Sequence, residues 1–168
     1  MATYLKNLSE YDFSTMPSAK GMRFGIVVAE WNSEITFAMC KGAKELLLKN
    51  GALESDIFIH TVPGSFELIA GSKWVAEQCN VDAVIAIGTI IQGETRHFDF
   101  ICQGVAIGMS ELNIKYDIPF IFGVLTTNNL EQAQDRAGGK HGNKGDEAAY
   151  TAIRMVAMKR GLGNQEKA

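Results

Sequence analysis

The chain has 168 residues, 46% of them apolar and 21% charged, with 16 Lys and Arg against 19 Asp and Glu for a formal net charge of −3. That length fits one domain, and folding would bury roughly 69% of the extended chain's surface, enough for a core without disulfides or metal. The slight acidic balance excludes a general binder of nucleic acid or acidic membranes, and no apolar run approaches the about 20 residues that span a bilayer.

Residues 1–20 read as a polar, extended N-terminal arm without the apolar core of a signal peptide, so a cytoplasmic chain is expected. Met22–Ala29 is short, apolar and rich in β-branched residues, and predicts a buried strand. Asn32 or Ser33 offers an N-cap, after which Ile35, Met39, Ala43 and Leu46 recur at helical spacing up to Asn50-Gly51. Ile57–Val62 predicts a second strand, stopped by Pro63-Gly64, and Leu68, Ser72, Val75 and Cys79 mark the helix behind it. Ala83–Ile91 is apolar on both faces, as a central parallel strand should be. An amphipathic helix through Phe98, Ile101, Cys102, Val105, Met109 and Leu112 follows, then a strand at Pro119–Leu125. A short helix near Leu130–Arg136, a Gly/Lys-rich connector and a helix buried through Ala149, Ala152, Ile153 and Val156 complete the domain. Residues 161–168 read as a C-terminal tail.

Strand and helix alternating four times within residues 21–160 imply a single α/β domain. The expected architecture is a three-layer αβα sandwich around a four-stranded parallel sheet. Ligands of such sheets bind beyond the carboxyl ends of the strands, which directs attention to loops 30–33, 62–67, 91–97 and 125–128. Cys40, Cys79 and Cys102 are odd in number and lack C-x-x-C spacing, so buried, reduced thiols are expected. His60, His97 and His141 form no zinc-binding pattern, and no metal is expected.

The strand-end loops carry the candidates. Trp31 could stack on a flat heterocycle or pack against the N-terminal arm or another subunit. Ser65 and Glu67 place a hydroxyl and a carboxylate at a helix start, although Glu67 there is also an ordinary partner of the helix dipole. In Gln92-Gly93-Glu94-Thr95-Arg96-His97 the glycine admits a ligand, and the following helix turns free N–H groups towards it. With the Thr95 hydroxyl, that is an anion pocket. His97 beside it suits a proton shuttle near neutral pH, or simply caps its own helix. Arg136-Ala137-Gly138 through Gly145 imitates a P-loop but fails its pattern, since Asn143 precedes Lys144 and Gly145 follows it. Arg136 and Lys144 remain as two cations that could meet a phosphate.

These segments, in order and with this spacing, resemble the 6,7-dimethyl-8-ribityllumazine synthase family over about Met22 to Arg160. The carriers are Trp31-Asn32, Val62 to Glu67, Gly88 to Asp99, Phe122 to Thr127, and Arg136 to Gly145. The resemblance implies a flavodoxin-like fold that condenses 5-amino-6-(D-ribitylamino)uracil with 3,4-dihydroxy-2-butanone 4-phosphate, releasing phosphate and water without a cofactor. It further implies a homopentamer with substrates held between neighbouring subunits. By motif position, Trp31 would stack on the pyrimidine, Ser65, Phe66 and Glu67 would hold its ribityl chain, and Thr89, Ile90 and Ile91 would meet the ring edge. Glu94 and Thr95 would lie at the phosphate loop, and His97 would be the general acid/base. Phe122 and Arg136 would come from the neighbouring subunit, with Lys144 near the site.

Two positions depart from the family pattern. Many relatives carry Ala in place of Glu94 and a basic residue in place of Gln92. A carboxylate beside a phosphate is unfavourable, so Glu94 is expected to offer its backbone N–H and turn its side chain away. The Gly138–Gly145 segment lacks the insertion of relatives that stop at pentamers, so an icosahedral shell of pentamers, with riboflavin synthase as a partner, is the further expectation. Competing readings are a non-catalytic lumazine-binding shell protein, an archaeal-type riboflavin synthase, and a flavodoxin-like carrier, the last disfavoured by the missing phosphate loop after the first strand.

Overall fold

The computed structural model describes residues 15–165, so residues 1–14 of the expected arm and 166–168 of the expected tail lie outside it. The elements in chain order are β1 (Phe24–Ala29), α1 (Ser33–Lys49), β2 (Ile57–Val62), α2 (Leu68–Gln78), β3 (Ala83–Ile91), α3 (His97–Lys115), β4 (Phe120–Thr127), α4 (Leu130–Gln134), β5 (Ala137–Gly139), β6 (Gly142–Asn143) and α5 (Lys144–Gln165). A four-stranded sheet runs in the order β2-β1-β3-β4, with every pair parallel. This is the three-layer, flavodoxin-like arrangement expected from the alternation of strands and helices.

Alternate residues of each strand feed opposite layers, as the pleat requires. Phe24, Ile26 and Val28 of β1 join Ile85 and Ile87 of β3 beneath Met39 and Leu47 of α1 and Ile153 of α5. Val27 and Ala29, with Val84, Ala86 and Val124, pack instead on Leu68 and Val75 of α2 and Val105 and Met109 of α3. Both faces of β1 and β3 are therefore covered, which explains their unbroken apolar sequences. At the amino ends of the strands Arg23 ties the layers together. Its N–H donates to Asp82 (2.8 Å), its Nε donates to the Asn80 carbonyl (2.8 Å), and its Nη1 donates to Asp56 (3.2 Å).

Four expectations need correction. The segment from Gly138 to Gly145 is an antiparallel hairpin of β5 and β6, where a featureless connector was expected. Glycine carries no side-chain periodicity, so the ladder is invisible in the sequence. What fixes it lies outside the segment: the His141 N–H donates to the Asp135 carbonyl (2.7 Å), and the Lys144 N–H donates to that of Arg136 (2.8 Å). Second, Cys40 is buried, but Cys79 and Cys102 are only half-buried, although all three are free thiols. Cys79 closes α2 and Cys102 lies on a face of α3 that its neighbours only partly cover. Third, Asn32 occupies the position before α1, yet its side chain makes no capping bond. At the C-terminus, α5 extends through Gln165 into the stretch read as tail.

Candidate active site

The chain leaves β1 for β2 on one side and reaches β3 on the other, so a crevice opens between the carboxyl ends of β1 and β3. A cleft of about 530 Å³ occupies that place, within the range of small-molecule sites. It gathers Trp31 after β1, Ser65, Phe66 and Glu67 before α2, Thr89, Ile90 and Ile91 of β3, and Thr95 and His97 at the start of α3. Nine expected site residues thus meet in one cleft. Glu94 is exposed and does not line it.

Asn32 organises the floor. Its backbone is left-handed (φ 59°), a conformation that asparagine tolerates better than most residues. The side chain thereby turns inward, and its Nδ2 donates to the Thr89 carbonyl at 3.2 Å. Thr89 is 1% exposed, and its Oγ1 finds no partner among the described residues. A buried hydroxyl with no partner, on the wall of a cleft, is a waiting contact for a polar ligand. Gly88 lets the Ser65 segment approach β3 this closely, since a Cβ there would stand 2.7 Å from Ser65 Oγ. Over this floor Trp31 is 73% exposed and Phe66 half-exposed, two aromatic faces presented to the opening.

His97 is the first residue of α3, with Arg96 in the capping position. The His97 N–H leans on Thr95 Oγ1 at 3.4 Å, which holds the hydroxyl at the helix start. The start of a 19-residue helix thus lines the cleft through Thr95, His97 and Phe98, and the positive end of a helix dipole favours an anion. Arg96 does not add to this charge inside the cleft. It pairs with Asp99 at 3.4 Å and sits over the Phe100 ring.

Phe122, Arg136 and Lys144 lie elsewhere, on a second cleft of about 740 Å³ along the edge strand β4. Among the described residues the two clefts share no lining residue. Phe122 is half-exposed on β4, and Arg136 follows α4 with its Nη1 donating to the Gln132 carbonyl at 2.9 Å. Lys144 opens α5 and is ion-paired to Glu147 one turn on.

The lining also includes residues that the sequence does not mark as site residues, among them Phe98 and Ile101 in the first cleft and Glu147 in the second. Phe98 and Ile101 stand three apart on α3, and their helical spacing was read only as a core face. Among the described residues no group of three His, Cys, Asp or Glu side chains forms a metal-holding cluster.

The sequence profile of 6,7-dimethyl-8-ribityllumazine synthase matches residues 21–160. The chain belongs to that family. A protein of that name from Parabacteroides distasonis is 56% identical over 156 residues, covering 93% of this chain and 98% of the relative. Another from Cytophaga hutchinsonii is 58% identical over 158 residues, covering 94% and 99%. One from Phocaeicola vulgatus is 53% identical over 162 residues, covering 96% of each. Both clefts fall inside the span matched by the lumazine synthase profile, so the family's sequence pattern includes the second cleft as well as the first. No described helix is long and apolar enough to cross a membrane.

Proposed function

We propose that the chain is a lumazine synthase. It joins the 5-amino group of 5-amino-6-(D-ribitylamino)uracil to the ketone of 3,4-dihydroxy-2-butanone 4-phosphate as an imine with loss of one water, eliminates phosphate, and closes the second ring with loss of another water. Trp31 stacks on the pyrimidine, Thr89, Ile90 and Ile91 meet its edge, and Ser65, Phe66 and Glu67 hold the ribityl chain. Thr95 and the start of α3 receive the phosphate, and His97 moves protons during imine formation and elimination. Glu94, exposed and outside the cleft lining, acts through its backbone alone. The enzyme works in the cytoplasm and needs no cofactor, because positioning, proton transfer and charge neutralisation suffice for each step.

The observation that carries this reading is the separation of two complementary half-sites in a chain of this family. Among the described residues, one cleft has aromatic faces, an orphan hydroxyl and a histidine but no lining Lys or Arg; the other has Phe122, Arg136 and Lys144. A neighbouring copy that brings its second cleft over the first would complete the site. The assembly proposed is a homopentamer, with the half-sites facing one another in a head-to-tail ring. Pentamers could join further into an icosahedral shell that accommodates riboflavin synthase.

Offering both substrates to the purified protein should produce the absorbance of a new lumazine; its absence would favour a non-catalytic shell protein. Arg136→Ala should raise KM for the phosphate-bearing substrate about tenfold, the cost of one charge-assisted hydrogen bond. The KM for the pyrimidine should change little. A reversed pattern in steady-state kinetics would detach Arg136 from the phosphate.

A further inference from the structure

Among the described residues the second cleft has three charged side chains in its lining, Arg136, Lys144 and Glu147, and they are not equivalent. Arg136 donates to the Gln132 carbonyl and has no carboxylate partner among the described residues. The Lys144 ammonium, in contrast, donates directly to the Glu147 carboxylate, and the two side chains are only 15% and 12% exposed. A nearly buried pair in contact presents little net field to a third charge a few ångströms away. The Lys144 N–H also donates to the Arg136 carbonyl at 2.8 Å, which ties the two main chains together, and all three side chains line the same cleft. Asp146, the other acid in the first turn of α5, does not line the cleft and lies towards α1 near Gly42.

We infer that Glu147 is a positioning residue that masks Lys144, so that the cleft meets phosphate with the strength of one cation, Arg136, rather than two. The inference rests on the proposed function, which brings phosphate to Arg136. Phosphate is both part of a substrate and a product of the same reaction, and two bare cations would retain it after elimination. Masking Lys144 favours release.

The test is competitive inhibition of the assembled enzyme by inorganic phosphate. Glu147→Gln should tighten phosphate binding about threefold to tenfold by exposing the ammonium, and the gain should shrink as salt is added. Lys144→Gln should weaken binding by a similar factor, because it leaves the Glu147 carboxylate uncompensated. The double variant Lys144→Gln/Glu147→Gln, as neutral as the native pair, should return within about twofold of the native value. A purely structural role for the pair predicts no such recovery. Weaker binding in Glu147→Gln, or a double variant as weak as Lys144→Gln, would overturn the inference and make Lys144 a direct ligand. If Arg136→Ala leaves phosphate inhibition unchanged, the proposed position of phosphate is itself wrong, and the masking argument fails with it.

Discussion

Replacing His97 by alanine is expected to lower kcat about 100-fold while leaving the KM of either substrate within a fewfold of the native value. The imidazole is exposed at the lip of the first cleft, where α3 begins. Water can therefore reach the same place and carry part of the proton traffic, which limits the loss to the lower end of what a positioned histidine contributes. The cleft walls at Trp31, Ser65 and Thr89 do not depend on the imidazole, so substrate positioning survives. Steady-state kinetics decides the matter, and an unchanged kcat would remove His97 from the mechanism.

Gly145→Ala is expected to cost about 3 kcal/mol or more of stability. Gly145 lies in the first turn of α5, where that helix crosses α1. A Cβ there would sit 1.8 Å from the Met39 carbonyl oxygen and 2.6 Å from its carbon. Those are backbone atoms of α1, and no rotamer change relieves the overlap. Alanine's better helix propensity returns only about 1 kcal/mol, so the clash wins. Gly161 in the same helix supplies the control, since among the described residues nothing lies within 4 Å of a Cβ there. Gly161→Ala should be neutral or slightly stabilising. Thermal melts at one protein concentration compare the two, and a Gly145→Ala variant as stable as Gly161→Ala would contradict the packing described. The same clash would disturb Lys144 and the hairpin that carries Arg136, because Asn143 anchors both to α1 through the Ala38 carbonyl at 3.0 Å.

The layered fold was legible because its carriers are hydrophobic patterns. Ala83–Ile91 is continuous because both faces of β3 are covered, and its bounds in the structure coincide with those read from sequence. The residues that sharpen the site were less visible. Asn32 has the composition of a helix cap, and only its left-handed backbone turns the amide towards Thr89. The β5-β6 hairpin is built from glycines that show no alternation, and bonds to Asp135 and Arg136 define it. Phe98 and Ile101 obey helical spacing whether they face a core or a cleft. The pairing of Lys144 with Glu147 could be suspected from their i,i+3 spacing, but its burial depends on β4 and α5 packing together.

The central claim is that a working site needs two copies of the chain, one giving His97 and the other Arg136. Co-expression of His97→Ala with Arg136→Ala chains under separate tags, followed by purification of assemblies that carry both, tests it directly. At equal mixing about a quarter of the interfaces join an intact first cleft to an intact second cleft. The mixed assemblies should then recover up to about a quarter of native turnover at low phosphate-substrate concentration, well above either variant alone. Mixed assemblies no more active than the average of the two parent variants would contradict a site shared between copies.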